Sequence, residues 1–379
     1  MTTNPATPSS SSSPSETSGA TGASGPVDAG PGVPVPTASG KDERVASPTL
    51  AHRLLMRPEL GSLIGAVLVL CFFSIVADGF FTAAGAATWL DDAAGLGIMA
   101  VAVALLMIGG EFDLSAGVMT ASTALITAML ATRAGWSVWP ALAVSLAFAL
   151  AVGALNGWLV VRTGLPSFII TLGTFLALQG LNLGVTRHVT NSVQVGGMRS
   201  TDGYESAGRF FASTMAIAGT EIQVSVLWWL LSAASATWVL ARTRFGNRIY
   251  AVGGAPVSAR NVGVPVDRTK IVLFTTTAGA AWLVGSINIL RYTSVQANQG
   301  IGLEFQYIIA AVIGGCLLTG GYGSAIGAAV GALIFGMARQ GIVYAQWNSD
   351  WFQLFLGVLL LAAVLVNNSF RRRAERSRR

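Results

Sequence analysis

The amino-acid sequence predicts an all-α fold: a polytopic helical membrane protein of about ten transmembrane spans, with broken helices among them. Three observations carry that expectation. Hydrophobic residues make up 53% of the 379 residues and charged residues only 11%, too little charge to cover a soluble protein of this length. From Gly61 onward, apolar stretches of bilayer-crossing length follow one another with short polar breaks. One polar break, Arg242 to Lys270, carries six basic residues (Arg242, Arg244, Arg248, Arg260, Arg268 and Lys270) against the single acid Asp267. That bias is the mark of a cytoplasmic loop.

From the N-terminus, residues 1–50 are dominated by Ser, Thr, Pro, Gly and Ala, with almost nothing large and apolar to bury. They are expected to form a disordered cytoplasmic tail. No basic stretch leads into an apolar core, so no cleavable signal peptide is expected. Residues 51–370 hold the spans, expected at roughly 61–81, 94–110, 115–133, 138–161, 167–187, 223–241, 271–291, 305–319, 325–345 and 352–368. Residues 371–379, RRRAERSRR, form a basic tail. Arg53 and Arg57, Arg162, the Arg242–Lys270 loop and this tail all fall on one side when ten spans are threaded. Both termini are therefore expected in the cytoplasm. The net charge of +6 belongs to this topology and not to a nucleic-acid surface. The 188–222 segment is then the long outer loop, mixed in sign at Arg199, Asp202, Glu205, Arg209 and Glu221; it reads as a solvated loop, with partner docking the alternative.

Two stretches interrupt the apolar pattern. Gly109 and Gly110 precede Glu111 and Asp113, while LLTGGYGS, Leu317 to Ser324, follows the short span at 305–319. Interrupted helices with polar ends are a common way for a transporter to build a midplane site. The strings MIGGEFDLSAG and VIGGCLLTGGYGS share a likeness too slight to read as an internal repeat. Asp113 and Ser115 have the spacing of a helix-start cap. Glu111 reads either as a carboxylate reaching water at a span end or as part of a solute path.

Asn156, Thr171, Thr174, Gln179, Asn182 and Asn288 are neutral polar groups in or beside spans. Each alone suits an interhelical hydrogen bond. With Glu111 and Asp113 they make a candidate path for a neutral, hydroxyl-rich solute, because amides and hydroxyls donate and accept without a charge to desolvate. Enzyme chemistry finds no footing. The phosphate-cradling pattern GxxxxGK[ST] is absent, so the chain is expected neither to bind nor to hydrolyse ATP. His52 and His188 lie far apart, and Cys71 and Cys316 read as buried small hydrophobes within spans. No catalytic residue and no metal site are expected.

Four stretches in order carry a resemblance: GGEFDLSAG (109–117), NGWLVVRTGLPSFIITLGT (156–174), RTRFGNRIYAVGG (242–254) and GLEFQYIIAAVIGGCLLTGGYGSAIGAAVGALIFG (302–336). From about residue 61 to 368 the chain resembles the membrane permeases of bacterial ABC importers for monosaccharides, the ribose/xylose/arabinose type. The resemblance implies a ten-span permease in the bacterial plasma membrane, forming a homo- or heterodimer. It implies a separate cytoplasmic ATPase that hydrolyses the ATP, an extracytoplasmic sugar-binding protein, and no cofactor bound by this chain. It places Gly253, Gly254, Ala259, Arg260 and Gly263 on the coupling helix that meets the ATPase.

Ala255, Pro256, Val257 and Ser258 depart from the Asn and acidic residues common there in the family, implying either a more apolar contact or a different partner. Glu111 and Phe112 likewise stand where a small or branched apolar residue is usual. Permeases for branched-chain amino acids share the broader pattern, so these and nucleosides are the alternative solutes. A proton-coupled secondary transporter would have only Glu111, Asp113 and Glu304 for its acid relay and would leave the basic loop unexplained.

Overall fold

The computed structural model describes residues 58–376 apart from Ala218 and Ser349. The expected tail at 1–50, Arg53, Arg57 and the last three residues of the basic tail lie outside the described residues. Ten apolar helices run through what is described, seven long enough to cross a membrane and three shorter, so the polytopic helical reading holds.

Helix α1 (Pro58–Val76) turns into α2 (Ala83–Ile108), whose start is capped by the Thr82 hydroxyl accepting from the Gly85 amide at 3.1 Å. Then come α3 (Ala116–Thr132), α4 (Val138–Thr163) and α5 (Ser167–Thr190). Strand β1 (Gln194–Gly196), a 3-10 turn at Met198–Ser200, α6 (Tyr204–Phe211) and the hairpin β2 (Thr214–Ile217) and β3 (Thr220–Gln223) lead to α7 (Val224–Arg242). The basic loop folds into α8 (Arg244–Gly254) and α9 (Pro256–Asn261). The chain continues through α10 (Val266–Tyr292), β4 (Ser294–Gln296), α11 (Leu303–Ile313), α12 (Ala325–Tyr344) and α13 (Trp351–Arg376).

Helix α2 is the centre of the bundle, its second half buried almost without interruption from Gly97 to Ile108. Helix α12 lies along it, and α10 lies along α4 and α3. Glycines let these backbones approach: a Cβ at Gly157 would stand 2.7 Å from the Ile271 Cα, and one at Gly336 only 2.5 Å from the Trp89 carbonyl. Helices buried in lipid gain nothing from leaving water, so such close packing and interhelical hydrogen bonds hold the bundle. Helices α1 and α5 leave most of their side chains exposed.

Three expectations are corrected. The second span begins at Ala83 and not near 94, because Asp91 and Asp92 sit inside α2. Arg291 donates to both Asp91 oxygens, at 2.6 and 2.5 Å, Ser225 Oγ donates to the same carboxylate at 3.2 Å, and Gln340 Nε2 donates to Asp92. Partners from α10, α7 and α12 thus keep two acids inside an apolar helix, where an unpaired charge would not stay. The 188–222 segment is folded and not a plain loop: its five charged residues stand exposed as expected, but β1, α6 and β2 order it and Val195, Met198, Ala207 and Phe211 are buried in it. Cys71 is exposed on α1, and Cys316 is buried beyond the end of α11 and not within a span.

Candidate functional site

Helix α2 ends at Gly109 and Gly110, the latter at φ 84°, with the Gly110 amide donating to Met107 O at 2.9 Å and the Glu111 amide to Leu106 O at 3.1 Å. Residues 111–115 then run non-helical before α3, and backbone freed from a helix in a low-dielectric interior needs other partners. It finds them on α5. The Phe112 amide donates to Ser167 Oγ at 3.0 Å and the Leu114 amide to Thr171 Oγ1 at 3.1 Å. Asp113 Oδ1 accepts from the Ser115 amide at 2.9 Å and from Ser115 Oγ at 2.6 Å, the expected cap. Asn156 Nδ2 donates to Ser115 Oγ at 3.1 Å, and Thr174 Oγ1 donates to Asn156 Oδ1 at 2.6 Å. Glu111 is buried, paired with Lys270 of α10, and does not reach water.

Five of the eight pathway candidates therefore meet here: Glu111, Asp113, Asn156, Thr171 and Thr174. Their hydrogen bonds are spent on one another and on the break. The other three lie apart. Asn182 is buried on α5 with its Nδ2 unpartnered, Gln179 sits half-buried one turn earlier, and Asn288 lines a narrow recess beside Thr120 and Leu303.

The second break begins with the same backbone. Gly314 ends α11, Gly315 takes φ 92°, its amide donates to Val312 O at 2.9 Å, and the Cys316 amide donates to Ala311 O at 3.0 Å. The faint sequence likeness of the two Ile-Gly-Gly strings is thus a real duplication of helix-ending geometry. From there the two diverge. The second break runs on through Gly320, Gly321 and Gly323, and Ser324 Oγ caps α12 by accepting from the Gly327 amide at 3.0 Å.

Both breaks meet the basic loop. The Gly321 amide donates to Ile108 O at 2.8 Å, and a Cβ on Gly253 would fall 1.8 Å from that same carbonyl. Tyr250 of α8 donates to Gly323 O at 2.9 Å, and burial raises its pKa, so the hydroxyl keeps its proton. Of the Gly253–Gly254 pair, Gly253 is the one that needs glycine. Gly254, its neighbour, faces Gly321 Cα with ordinary clearance of 3.8 Å for a Cβ. Ala259 is buried against Val252 and Val266, and Gly263 turns the chain at φ 83°. Arg260 is exposed, but its guanidinium already donates to Asp267 at 2.5 Å. Val257 and Val262 stand 74% and 79% exposed, an apolar outer face on the loop.

Sequence reasoning missed Lys270, Ser167, Tyr250 and Gly321 as parts of this junction. Lys270 had a signal, as the one lysine of the described residues and the last basic residue before a span. Gly321 lay in the LLTGGYGS interruption, but nothing in the sequence around it or around Tyr250 signalled their contact with the other break and the loop.

Comparison with known proteins agrees with this architecture. Residues 85–364 match the family described as branched-chain amino acid transport system, permease component. The xylose transport system permease protein of Escherichia coli (strain K12) is 29% identical over 357 residues, covering 81% of this chain and 91% of that protein. The ribose import permease protein of the same strain is 32% identical over 314 residues, covering 82% and 94%. A probable ABC transporter permease protein of that strain is 32% identical over 323 residues, covering 85% and 92%. No solved structure matches the chain. The chain belongs to this permease family and is a multi-pass membrane permease of the ABC type.

Proposed function

We propose, on the premise of that membership, that the protein is the membrane subunit of an ATP-driven importer that brings a monosaccharide into the bacterial cytoplasm. Residues 51–370 form the permease domain, and both tails lie in the cytoplasm with the basic loop. A separate ATPase docks on α8 and α9, an extracytoplasmic binding protein delivers the sugar to the opposite end, and a second permease subunit completes the complex.

The observation that carries this reading is the backbone contact of Gly253 with Ile108 and Gly321. A push on the loop from a docked partner is felt at once by both helix breaks, since no flexible side chain lies between. The exposed valines and Arg260 suit a partner surface that mixes apolar and acidic groups. The relatives named for xylose and ribose favour a sugar, and the neutral amides along the chain suit one. A branched-chain amino acid, the solute in the family's description, carries two charges that those amides would not match.

The test is reconstitution with the partner ATPase and binding protein. Sugar-stimulated ATP hydrolysis and uptake of labelled xylose or ribose are expected, with no hydrolysis by the permease alone. Arg260→Glu is expected to leave membrane insertion intact and to reduce the stimulation, by turning attraction into repulsion in a partly desolvated contact. Stimulation by leucine and not by any sugar would overturn the solute class, and wild-type stimulation in Arg260→Glu would remove this residue from the contact.

A further inference from the structure

At the far end of α10 from the basic loop, a recess of about 440 Å³ opens beside the pairing of β1 with β4. Its construction is local and definite. Gln194 pairs with Gln296, Val195 with Val295 and Gly196 with Ser294. Alternation buries both valines and turns Gln194 and Gln296 outward on one face. Thr293, at φ 59°, ends α10, and the Ala297 amide donating to Val193 O at 2.8 Å ties down the strand after it. Gln299 closes the turn by accepting from the Gln296 amide at 3.3 Å.

The polar lining is then Gln194, Tyr292, Ser294, Gln296, Asn298 and Gln299, with no charged side chain among the residues that face it. Arg291 is close, with its guanidinium 5.3 Å from the Tyr292 ring centroid, but its charge is held by Asp91 through two hydrogen bonds. It lies near the aromatic ring and does not present a free cation.

The recess also leads somewhere. A second space of about 20 Å³ shares Ser294, Val295 and Gln299 with it and runs on to Thr120, Asn288 and Leu303, between α3, α10 and the start of α11. That volume holds a water but no sugar. The mouth is open and the throat below it is shut.

We propose that this recess is a low-affinity reception site for a neutral monosaccharide on its way into the permease, with Gln299 and Ser294 at the entrance to the closed throat. The inference rests on the importer reading above and adds the place where the solute is first held. Amides that donate and accept match ring hydroxyls, and Tyr292 offers an aromatic surface to the C–H face of a pyranose. The volume falls within the roughly 300–1,000 Å³ of small-molecule sites. An amino acid zwitterion or a phosphorylated sugar would find no counter-charge.

Two measurements test it on the complete complex. In reconstituted vesicles, Gln296→Ala and Asn298→Ala are each expected to lower sugar uptake per ATP hydrolysed about fivefold to tenfold, the loss of one or two hydrogen bonds. The concentration of binding protein that half-saturates ATP hydrolysis stays unchanged. In a Cys71→Ser background, Asn298→Cys is expected to react with a polar maleimide and to be protected by xylose or ribose but not by leucine. Unchanged uptake per ATP, or labelling that no sugar slows, overturns the site. A rise in half-saturating binding protein that accounts for the whole loss also overturns it, and makes the recess a docking surface. A wild-type complex that answers to no sugar-loaded binding protein defeats the importer reading itself, which is a different failure.

Discussion

The two helix breaks begin alike and are held by opposite means. At Ile108–Ser115 side chains do the holding: Ser167, Thr171, Asn156, Thr174 and Lys270 reach in from α4, α5 and α10 to satisfy the unwound stretch. At Ile313–Ser324 the holding is mostly backbone to backbone through glycines, with Tyr250 the side chain that reaches Gly323. A side-chain network with every member satisfied fixes one arrangement. A glycine contact tolerates sliding but no added atom. The first break is thus held by directional side-chain bonds from three helices, and the second by backbone clearance at its glycines.

The largest effect expected on this comparison comes from Lys270→Met, which leaves the Glu111 carboxylate buried without its partner, at a cost of about 3–5 kcal/mol. Thermal unfolding of the purified protein in detergent reads it. Adding Glu111→Gln should recover most of the loss, whereas simple addition of the two losses would mean the pair does not hold the break.

Gly253→Ala comes next, at about 3 kcal/mol, because its Cβ would meet the Ile108 carbonyl and overpack the junction. Gly254→Ala, one residue on, should stay within about 0.5 kcal/mol. Equal effects at both positions would dissolve the contrast between contact and clearance.

Thr174→Val should cost about 1–2 kcal/mol by leaving the buried Asn156 Oδ1 without a donor. Its loss should be recovered in part by Thr174→Ser, which restores the hydroxyl.

The smallest change in stability belongs to Arg260→Gln, since both members of its pair are more than half exposed, and about 0–1 kcal/mol is expected. A large drop in unfolding temperature there would place Arg260 in the fold and not in the docking face.

Parts of this site were legible and parts were not. The Asp113–Ser115 cap was readable because both residues lie within one turn and the chemistry of a helix start is local. Both breaks were readable from Gly-Gly beside polar residues. The start of α2 was misread because Asp91 and Asp92 look like a span end when Arg291 and Gln340, some two hundred residues or more away, are not in view. The folding of the 188–222 segment was missed for a similar reason: its three-residue β1 finds its partner strand only across everything from α6 to α10. Among the pathway candidates, sequence could not separate Asn156, which is fully engaged, from Asn182, whose Nδ2 is buried and unpartnered.

By itself the sequence determined ten apolar segments, the positions of their interruptions and a basic loop able to fold. Those features follow from hydropathy over about twenty residues and from backbone conformation over a few. The tertiary structure decided which polar groups spend their hydrogen bonds on the fold, which stay unpaired, and that Gly253, Ile108 and Gly321 share one point of contact. The partner of a buried polar group is chosen by which helix faces approach, and that approach is set by glycine spacing on segments far apart in the chain.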